Sequence, residues 1–544
     1  MHVTPSGWPS RIDPKIAARR VADGVWTGRT IADSARDLAA REPGRILFGT
    51  EQGDFAVGRL VERAEALARG LLDLGIEPGQ TVSLQMPNWI EVAEIDLACA
   101  MGGFVVNPIV PIYREAELRQ ILADARTRLV FAPGRYRNTD HVAMIESLRA
   151  DLPLLSHVIP VREGSAYEDL IARGRASQRA LPAVDPDDVK SLVYTSGTTG
   201  AAKGVIYTHN QARRTLANTF RAWDLPADMS VLIGTPVGHV TGFSFGIDIA
   251  YHFGSRTQLM EAWDATRAVE LIDGLGISAM LGATPFLVEL MQAAAAAKTT
   301  LPSLVFFLCG GAAVPSDLVA KAYEAFPGCV TFRAFGSTEC PLITQGVRGD
   351  PDLCASTDGR VDDYEVKVVD EAGRVLPPGE EGEALARGPA MFVGYTDPKA
   401  TEEAFDRDGF FRTGDLVRMT ADGVIVVTGR KKDLIIRGGE NLSAKEIEDA
   451  LHAHPAVNEA AVFSMPHARL GEGVCAWIVP AGAERPDKAE FAAWLKARGL
   501  APQKWPERVD YVEALPKTPS GKVQKHILRR MIAERIADEA GAAG

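Results

Sequence analysis

The chain has 544 residues, more than one hydrophobic core ordinarily holds, so at least two domains are expected. Hydrophobic residues make up 46% and charged residues 24%, the balance of a water-soluble globular protein. Its 59 basic and 71 acidic residues give a formal charge of −12, which argues against a general nucleic-acid or membrane-surface binder.

The N-terminal stretch MHVTPSGWPSRIDPK lacks the apolar core of a signal peptide. In chain order, RLVERAEALARGLLDLG (Arg59 to Gly75) has helical spacing of apolar residues and ends at a glycine cap. TVSLQMPN reads as a strand and turn, IEVAEIDLACAMGG as a helix and FVVNPIV as a strand. The alternation continues through RLVFAP, SLVYTS, SVLIGTP, AMLGATP, LVFFLCGG and VTFRAFGS, and it predicts buried, mainly parallel sheets. The Ala-rich run ELMQAAAAAKTT (Glu289 to Thr300) reads as a helix.

After about Asp350 the texture changes. YEVKVVDEAGRVLPPGEEGEALARG alternates apolar and polar residues between Gly and Pro turns, which predicts antiparallel hairpins and a small barrel. Ser443 with Glu446 is the pattern of a capping box opening a helix at AKEIEDALHAH. The expected architecture is α/β. A large N-terminal domain, residues 1–430, holds mainly parallel sheets and a barrel subdomain at about 350–430. It is hinged at the charged turn Arg430 to Asp433 to a small α+β domain, residues 431–544.

No run of about 18 apolar residues is present, so no membrane span is expected. Six scattered cysteines without a CxxC pair read as reduced thiols of a cytoplasmic protein. His452 and His454 are not spaced as helical metal ligands, and no further ligand cluster lies near them.

Five stretches carry chemistry. Tyr194 to Gly204, YTSGTTGAAKG, follows an apolar strand. Its glycines leave backbone N–H groups free to face an anion, Ser196, Thr198 and Thr199 add hydroxyls, and Lys203 adds charge. It is not a P-loop, because lysine does not directly follow the second glycine. FRAFGSTEC ends a strand in Gly336, Ser337, Thr338 and Glu339, a set able to hold a phosphate with its Mg²⁺; the alternative is that Glu339 caps the next helix. Asp415, at the start of a strand in FFRTGDLVRM, can accept from a ribose diol or can be an ordinary turn aspartate. GRKKDLIIRGGEN joins a basic turn to a Gly-Gly loop. LPKTPSGKVQKHILRR places Lys517, Lys522, Lys525, Arg529 and Arg530 together without an acid between them, which in an acidic chain suggests an anionic partner or a solvated basic tail.

Together and in this order, the stretches resemble the adenylate-forming (AMP-binding) superfamily of acyl-CoA synthetases, luciferases and peptide-synthetase adenylation domains. The resemblance runs from GIEPGQTVSLQMPN to PKTPSGK, through YTSGTTGxxKG, PxxHxxG (Pro236, His239, Gly242), GGAxxP, GSTE, GExxxRGPxxxxGY, RTGD and GRxKDxIxRGGE. It implies ATP, Mg²⁺ and coenzyme A as cosubstrates. Thr195, Ser196, Gly197, Thr198, Thr199, Gly200 and Lys203 would steady the β- and γ-phosphates. Gly310, Gly311, Ala312, Phe335, Gly336 and Ser337 would line the nucleotide, Thr338 would touch the α-phosphate, and Glu339 would bind Mg²⁺. Asp415 and Arg430 would hold the ribose. Lys522 would be the catalytic cation, Lys432 the hinge, and Gly438, Gly439 and Glu440 the coenzyme A face. His239 would gate the thiol channel and, with Val240, Gly242, Phe243, Gly310, Gly336 and Pro341, border the acyl pocket.

Two departures from the pattern, Ala202 before the loop lysine and Phe335 before GSTE, remove no catalytic group. The expected reaction joins a carboxylic acid, ATP and coenzyme A. The acyl stretches lack a basic residue for a second carboxylate and an aspartate for an amino group, so the acid is expected to be uncharged beyond its carboxylate. TPVGHVTGFSFGI looks most like the cyclohexanecarboxylate–CoA ligase group, which takes alicyclic, aromatic or medium-chain acids. The alternative acceptor is the phosphopantetheine arm of a carrier protein. A homodimer is left open, and no nucleic-acid partner is expected.

Overall fold

The computed structural model describes residues 2–195, 202–223, 225, 228–310, 314, 316–518 and 521–542. Two seven-stranded sheets form the body. The first runs His157–Val161, Thr127–Pro133, Thr81–Gln85, Val105–Ile109, Val189–Thr195, Lys203–Thr208, Gly394–Tyr395. Its first five strands are parallel and its last two antiparallel. The second runs Val330–Arg333, Phe306–Cys309, Ala279–Gly282, Ser230–Ile233, Arg256–Leu259, Ile46–Thr50, Gly53–Ala56, and only its final pair is antiparallel.

A shared apolar core joins the two sheets. It takes Val82 and Leu84 from the first, Val231 and Ile233 from the second, and the helix Ile90–Gly102. That helix is buried on nearly every side, which is why its sequence is mostly apolar and shows no polar stripe; its carboxylates Glu94 and Asp96 are themselves buried and paired.

Three charged groups are nevertheless sealed inside. Lys190 Nζ lies 2.9 Å from Asp96 Oδ1 and 2.9 Å from Asp248 Oδ1, and all three side chains are at most 2% exposed. Burial and the neighbouring Asp96 push the Asp248 carboxyl up from its ordinary range, while the two carboxylates hold the Lys190 ammonium charged. The three residues come from the first sheet, the central helix and the π-turn Phe243–Asp248, so they tie together the layers behind the site.

The region expected to form a barrel is an open four-stranded antiparallel sheet, Glu365–Val369, Glu381–Arg387, Phe411–Met419, Ile425–Arg430. Closure would require its two edge strands to pair. Instead the Ile425–Arg430 edge is taken by the preceding segment: Ile425 N–H donates to Gly359 O (2.9 Å) and Val427 N–H to Asp358 Oδ2 (2.8 Å). A 3₁₀ turn, Lys431–Asp433, then leads into a five-stranded sheet of Leu434–Arg437, Glu440–Ser443, Val457–His467, Gly471–Pro480 and Arg508–Tyr511. Ser443 caps the helix Ala444–His452 by accepting from Glu446 N–H (3.3 Å), but its hydroxyl donates to Thr428 O, and the reciprocal bond of a capping box is not formed. His454 packs edge-on against Phe491 and Trp494 and accepts from Ala456 N–H, a structural role.

Lys190→Met would leave two buried carboxylates without their cation, and should destabilise the chain by about 3–5 kcal/mol in urea unfolding at pH 7. Replacing Asp96 and Asp248 as well by leucine should recover part of that loss.

Candidate active site

The adjacent strands Phe411–Met419 and Ile425–Arg430 place Asp415 directly opposite Arg430. Arg430 Nε donates to Asp415 Oδ1 at 2.7 Å. Asp415 lies inside its strand, four residues in, rather than at the strand start expected from the glycine before it. Gly414, at φ +72°, supplies the irregularity that turns the aspartate inward. Burial raises the Asp415 carboxyl from its ordinary range, against the opposing pull of Arg430 and Lys522.

Gly336 to Cys340 follows the strand Val330–Arg333 as a tight turn. A Cβ on Gly336 would stand 2.5 Å from Leu342 N, so the close return of the chain needs glycine there. Ser337 N–H donates to Cys340 O, and Cys340 N–H to Ser337 Oγ. No helix begins at Glu339 to be capped by it; the next helix starts at Pro351. Tyr207 OH donates to Thr338 O, Phe392 N–H donates to Glu339 O (2.9 Å), and Tyr395 OH donates to Glu339 Oε1 (2.7 Å). The Lys203 ammonium lies 5.0 Å over the Tyr395 ring.

The strands Val189–Thr195 and Lys203–Thr208 form a hairpin with Thr195 paired to Lys203. Tyr194 OH and Thr396 Oγ1 both donate to Asp124 Oδ2 at 2.6 Å, anchoring this hairpin beside Tyr395. Ser196, Gly197, Thr198, Thr199, Gly200, Gly311 and Ala312 lie outside the described residues.

Two adjoining cavities, of about 530 and 640 Å³, meet at Arg430 and Lys522, which line both. The first takes in Thr195, Lys203, His239, Thr338 and Glu339. The second takes in Phe335, Gly336 and Asp415. Most of the expected nucleotide residues that are described therefore converge, with hydroxyl, carboxylate and lysine groups on one side and the aromatic ring and buried aspartate on the other. A wider cleft of about 960 Å³ separates the antiparallel sheet from the C-terminal sheet and contains none of Thr338, Glu339, Asp415 or Lys522.

Burial pushes the Lys522 ammonium down to about 8, and Arg430 adds to the shift, with Asp415 and Glu339 opposing it. His239 is enclosed by protein while part of its ring faces the first cavity; burial, and then Lys522, lower it to about 4, so it is neutral at pH 7. Its Nδ1 accepts from Thr241 N–H, fixing the ring at the start of the helical segment that continues through Val240, Gly242 and the π-turn. Phe243 is 1% exposed and its ring lies 4.6 Å from the Lys190 ammonium, so it faces the buried charge cluster. Pro341 O accepts from Tyr364 OH. A Cβ built on Gly310 would meet Leu308 Cδ2 at 3.5 Å, an ordinary van der Waals contact.

Gly438, Gly439 and Glu440 sit apart from these cavities. The two glycines, at φ +60° and +91°, form an exposed two-residue hairpin turn in which Arg437 pairs with Glu440. Lys432 lies in the 3₁₀ turn, its carbonyl accepting from Arg529 at 3.3 Å. The sequence reading missed Tyr395, Tyr207 and Asp124 as supports of the site. Tyr395 had a signal, as the last residue of GExxxRGPxxxxGY; Asp124 had none.

An adenylate-forming site is the class of arrangement this defines: a carboxylate for a cation, a buried acid–arginine pair, and a lysine at their junction. The AMP-binding enzyme family model matches residues 36–396, and the AMP-binding enzyme C-terminal domain model matches residues 446–522. The chain is 34% identical over 527 residues to a medium-chain fatty-acid–CoA ligase of Escherichia coli (strain K12), covering 95% of this chain and 93% of the relative. It is 34% identical over 537 residues to a 2,3-dihydroxybenzoate-AMP ligase of Bacillus subtilis (strain 168), covering 97% and 98%. Among solved structures, ATP-bound MatB from Rhodopseudomonas palustris superposes with a TM-score of 0.83 at 27% identity, covering 92% of this chain and 98% of that one. The chain belongs to the AMP-binding enzyme family and is an adenylate-forming acid ligase. Enzymes of this family use ATP with Mg²⁺ and coenzyme A. No helix among the described residues is long and apolar enough to cross a membrane.

The donor set fits Mg²⁺ arriving with its nucleotide, since that ion takes one or two carboxylates and completes its shell with phosphate oxygens and water. Glu339 would supply the carboxylate, since only its Oε1 accepts from Tyr395 OH.

Below about pH 8 Lys522 presents a cation to the cleft, and above it the charge is lost. AMP, whose phosphate is already dianionic there, should bind more weakly as pH rises through about 8. Calorimetric titration should show that step in the parent chain and not in Lys522→Met.

Proposed function

We propose that the chain joins an uncharged-tail carboxylic acid to coenzyme A in two half-reactions. The acid carboxylate attacks the α-phosphorus of ATP, and pyrophosphate leaves. The thiol then attacks the acyl carbonyl, and AMP leaves. The observation that carries the first step is the position of Lys522, at the junction of the two cavities, where it can neutralise charge developing between carboxylate and α-phosphate. Asp415 and Arg430 orient the ribose, Thr338 the α-phosphate, and Thr195 and Lys203 the departing phosphates. Mg²⁺ at Glu339 supplies charge neutralisation for the nucleotide phosphates.

The arrangement with Lys522 in the cleft and Gly438-Gly439 on the surface suits adenylation. Thioester formation calls for a rotation about Lys432 that withdraws Lys522 and brings the glycine turn to the thiol, with residues 431–544 moving as the small domain. Neutral His239 borders that channel without presenting a charge to it. The acid is alicyclic, aromatic or medium-chain. The Escherichia coli relative is named for medium-chain fatty acids, and the Bacillus subtilis relative for an aryl acid. The latter's designation as an AMP ligase keeps a second reading in view, in which the acyl group passes to a carrier-protein phosphopantetheine. The reaction is placed in the cytoplasm, where ATP and coenzyme A are supplied.

A panel of octanoate, cyclohexanecarboxylate and benzoate with ATP, Mg²⁺ and coenzyme A should yield pyrophosphate, AMP and acyl-CoA in equal amounts for at least one acid. Adenylate that accumulates without acyl-CoA would establish the carrier-loading reading. Lys522→Ala should slow adenylate formation by about 10²–10³-fold and leave acyl transfer from supplied adenylate far less affected.

A further inference from the structure

Lys522 sits on a small hairpin rather than a free loop. Lys517 bridges Val523 in antiparallel fashion, and Thr518 N–H donates to Lys522 O at 2.7 Å. Gly521 N–H returns to Thr518 O at 2.9 Å, and Gln524 N–H donates to Pro516 O at 2.8 Å. Gly521 holds φ +83°, a conformation that side chains with a Cβ rarely adopt.

The two sides of the hairpin are pinned by ion pairs. Lys517 Nζ lies 2.7 Å from Glu459 Oε2 on the strand Val457–His467. Lys525 Nζ lies 2.7 Å from Glu448 Oε1 on the helix Ala444–His452. The second pair is largely dry, with side-chain exposures of 14% and 11%, and Glu448 Oε1 also accepts from Val462 N–H at 2.7 Å. Such a pair escapes most of the screening that makes surface ion pairs weak. Glu448 closes the run Glu446-Ile447-Glu448, and neither half-reaction gives it work of its own.

These pins set where Lys522 stands among opposed charges. Its ammonium shares a cavity with Arg430 and Lys432, which repel it, and with Glu339, which attracts it as Asp415 does, so the pose of the hairpin decides how it meets them. Both anchoring carboxylates belong to the C-terminal sheet and its helix, so they move with Lys522 and not with the cleft it enters.

We propose that Glu448 and Glu459 are positioning residues that hold the Lys522 hairpin through Lys525 and Lys517, and that they serve the adenylation step alone. This rests on the role given to Lys522 above. If Lys522 leaves the cleft for the second step, the exact pose of its hairpin no longer matters to the reaction. A merely structural role would weaken both steps together.

Full-length Glu448→Gln, Lys517→Met and Lys522→Ala chains test this against the parent, using whichever of octanoate, cyclohexanecarboxylate and benzoate the parent turns over fastest. ATP–pyrophosphate exchange reads adenylation without an acceptor, and coenzyme A added to purified acyl adenylate reads transfer. Glu448→Gln keeps an acceptor for Val462 N–H, and Lys517→Met removes a half-exposed pair, so at least the latter should fold as the parent does. Both should slow exchange by about 10–100-fold, the scale of a misplacement near 1 Å, and leave transfer at the parent rate. Equal loss in both steps, or unchanged exchange in both variants while Lys522→Ala abolishes it, overturns the proposal. Unchanged exchange in Lys522→Ala overturns instead the role of Lys522, and the purpose of its anchors with it.

Discussion

The structure turns on one electrostatic conflict: a lysine must enter a cleft that is already cationic. Arg430 stands in that cleft because Asp415 needs a partner, and Asp415 is buried enough that its charge depends on one. Burial first, and then Arg430, draw the Lys522 ammonium down to about 8, with Asp415 and Glu339 opposing them. A nucleotide supplies the missing negative charge, so occupancy of the cleft and approach of the lysine favour each other. If the proposed hinge at Lys432 operates, a C-terminal unit that gains little from keeping Lys522 in place without a nucleotide meets the condition for moving.

The fold divides the residues of the proposed chemistry between sheets with separate cores. Thr338, Glu339, Asp415 and Arg430 are set by strands and by a turn that only glycine permits at Gly336. Behind them the Lys190, Asp96 and Asp248 cluster ties sheet to helix to π-turn, and His239 begins that last segment. Backbone register therefore sets the first group of residues, while the second enters from a separate sheet with its own core. The proposed rotation is compatible with that precision because the two cores share no strand.

Much of this was legible because it is local. Strand runs such as TVSLQ and the helix of IEVAEIDLACAMG carry their pattern in adjacent residues, and the structure has them as Thr81–Gln85 and Ile90–Gly102. What was not legible is tertiary. The alternating segments after Asp350 predict antiparallel strands correctly, but whether a sheet closes depends on what takes its edge, here Asp358 to Arg360. The capping box failed for a similar reason, since a distant cation, Lys504, holds both oxygens of the Glu446 carboxylate that would have closed it. Asp124 reaches the site through Tyr194 and Thr396, one of them 272 positions away, and no window of sequence contains that relation.

The same contrast explains why glycines matter differently at the two ends of the chemistry. Gly336 is required because another part of the backbone lies against it, so its role is spatial and fixed. A Cβ on Gly439 would meet nothing within 4 Å and one on Gly438 would press only on the flexible end of Leu470, at 3.2 Å; what they provide is a tight turn at positive φ with no side chain on its outer face. A bare turn of that kind is of little use on a surface facing water. It becomes useful when backbone must lie flush against a thin, extended thiol arm, where any side chain would stand in the way. Under the proposed two-step reaction, the turn would meet the thiol arm only once Lys522 had left the cleft, and one small unit could serve both steps because its two faces would never be needed together.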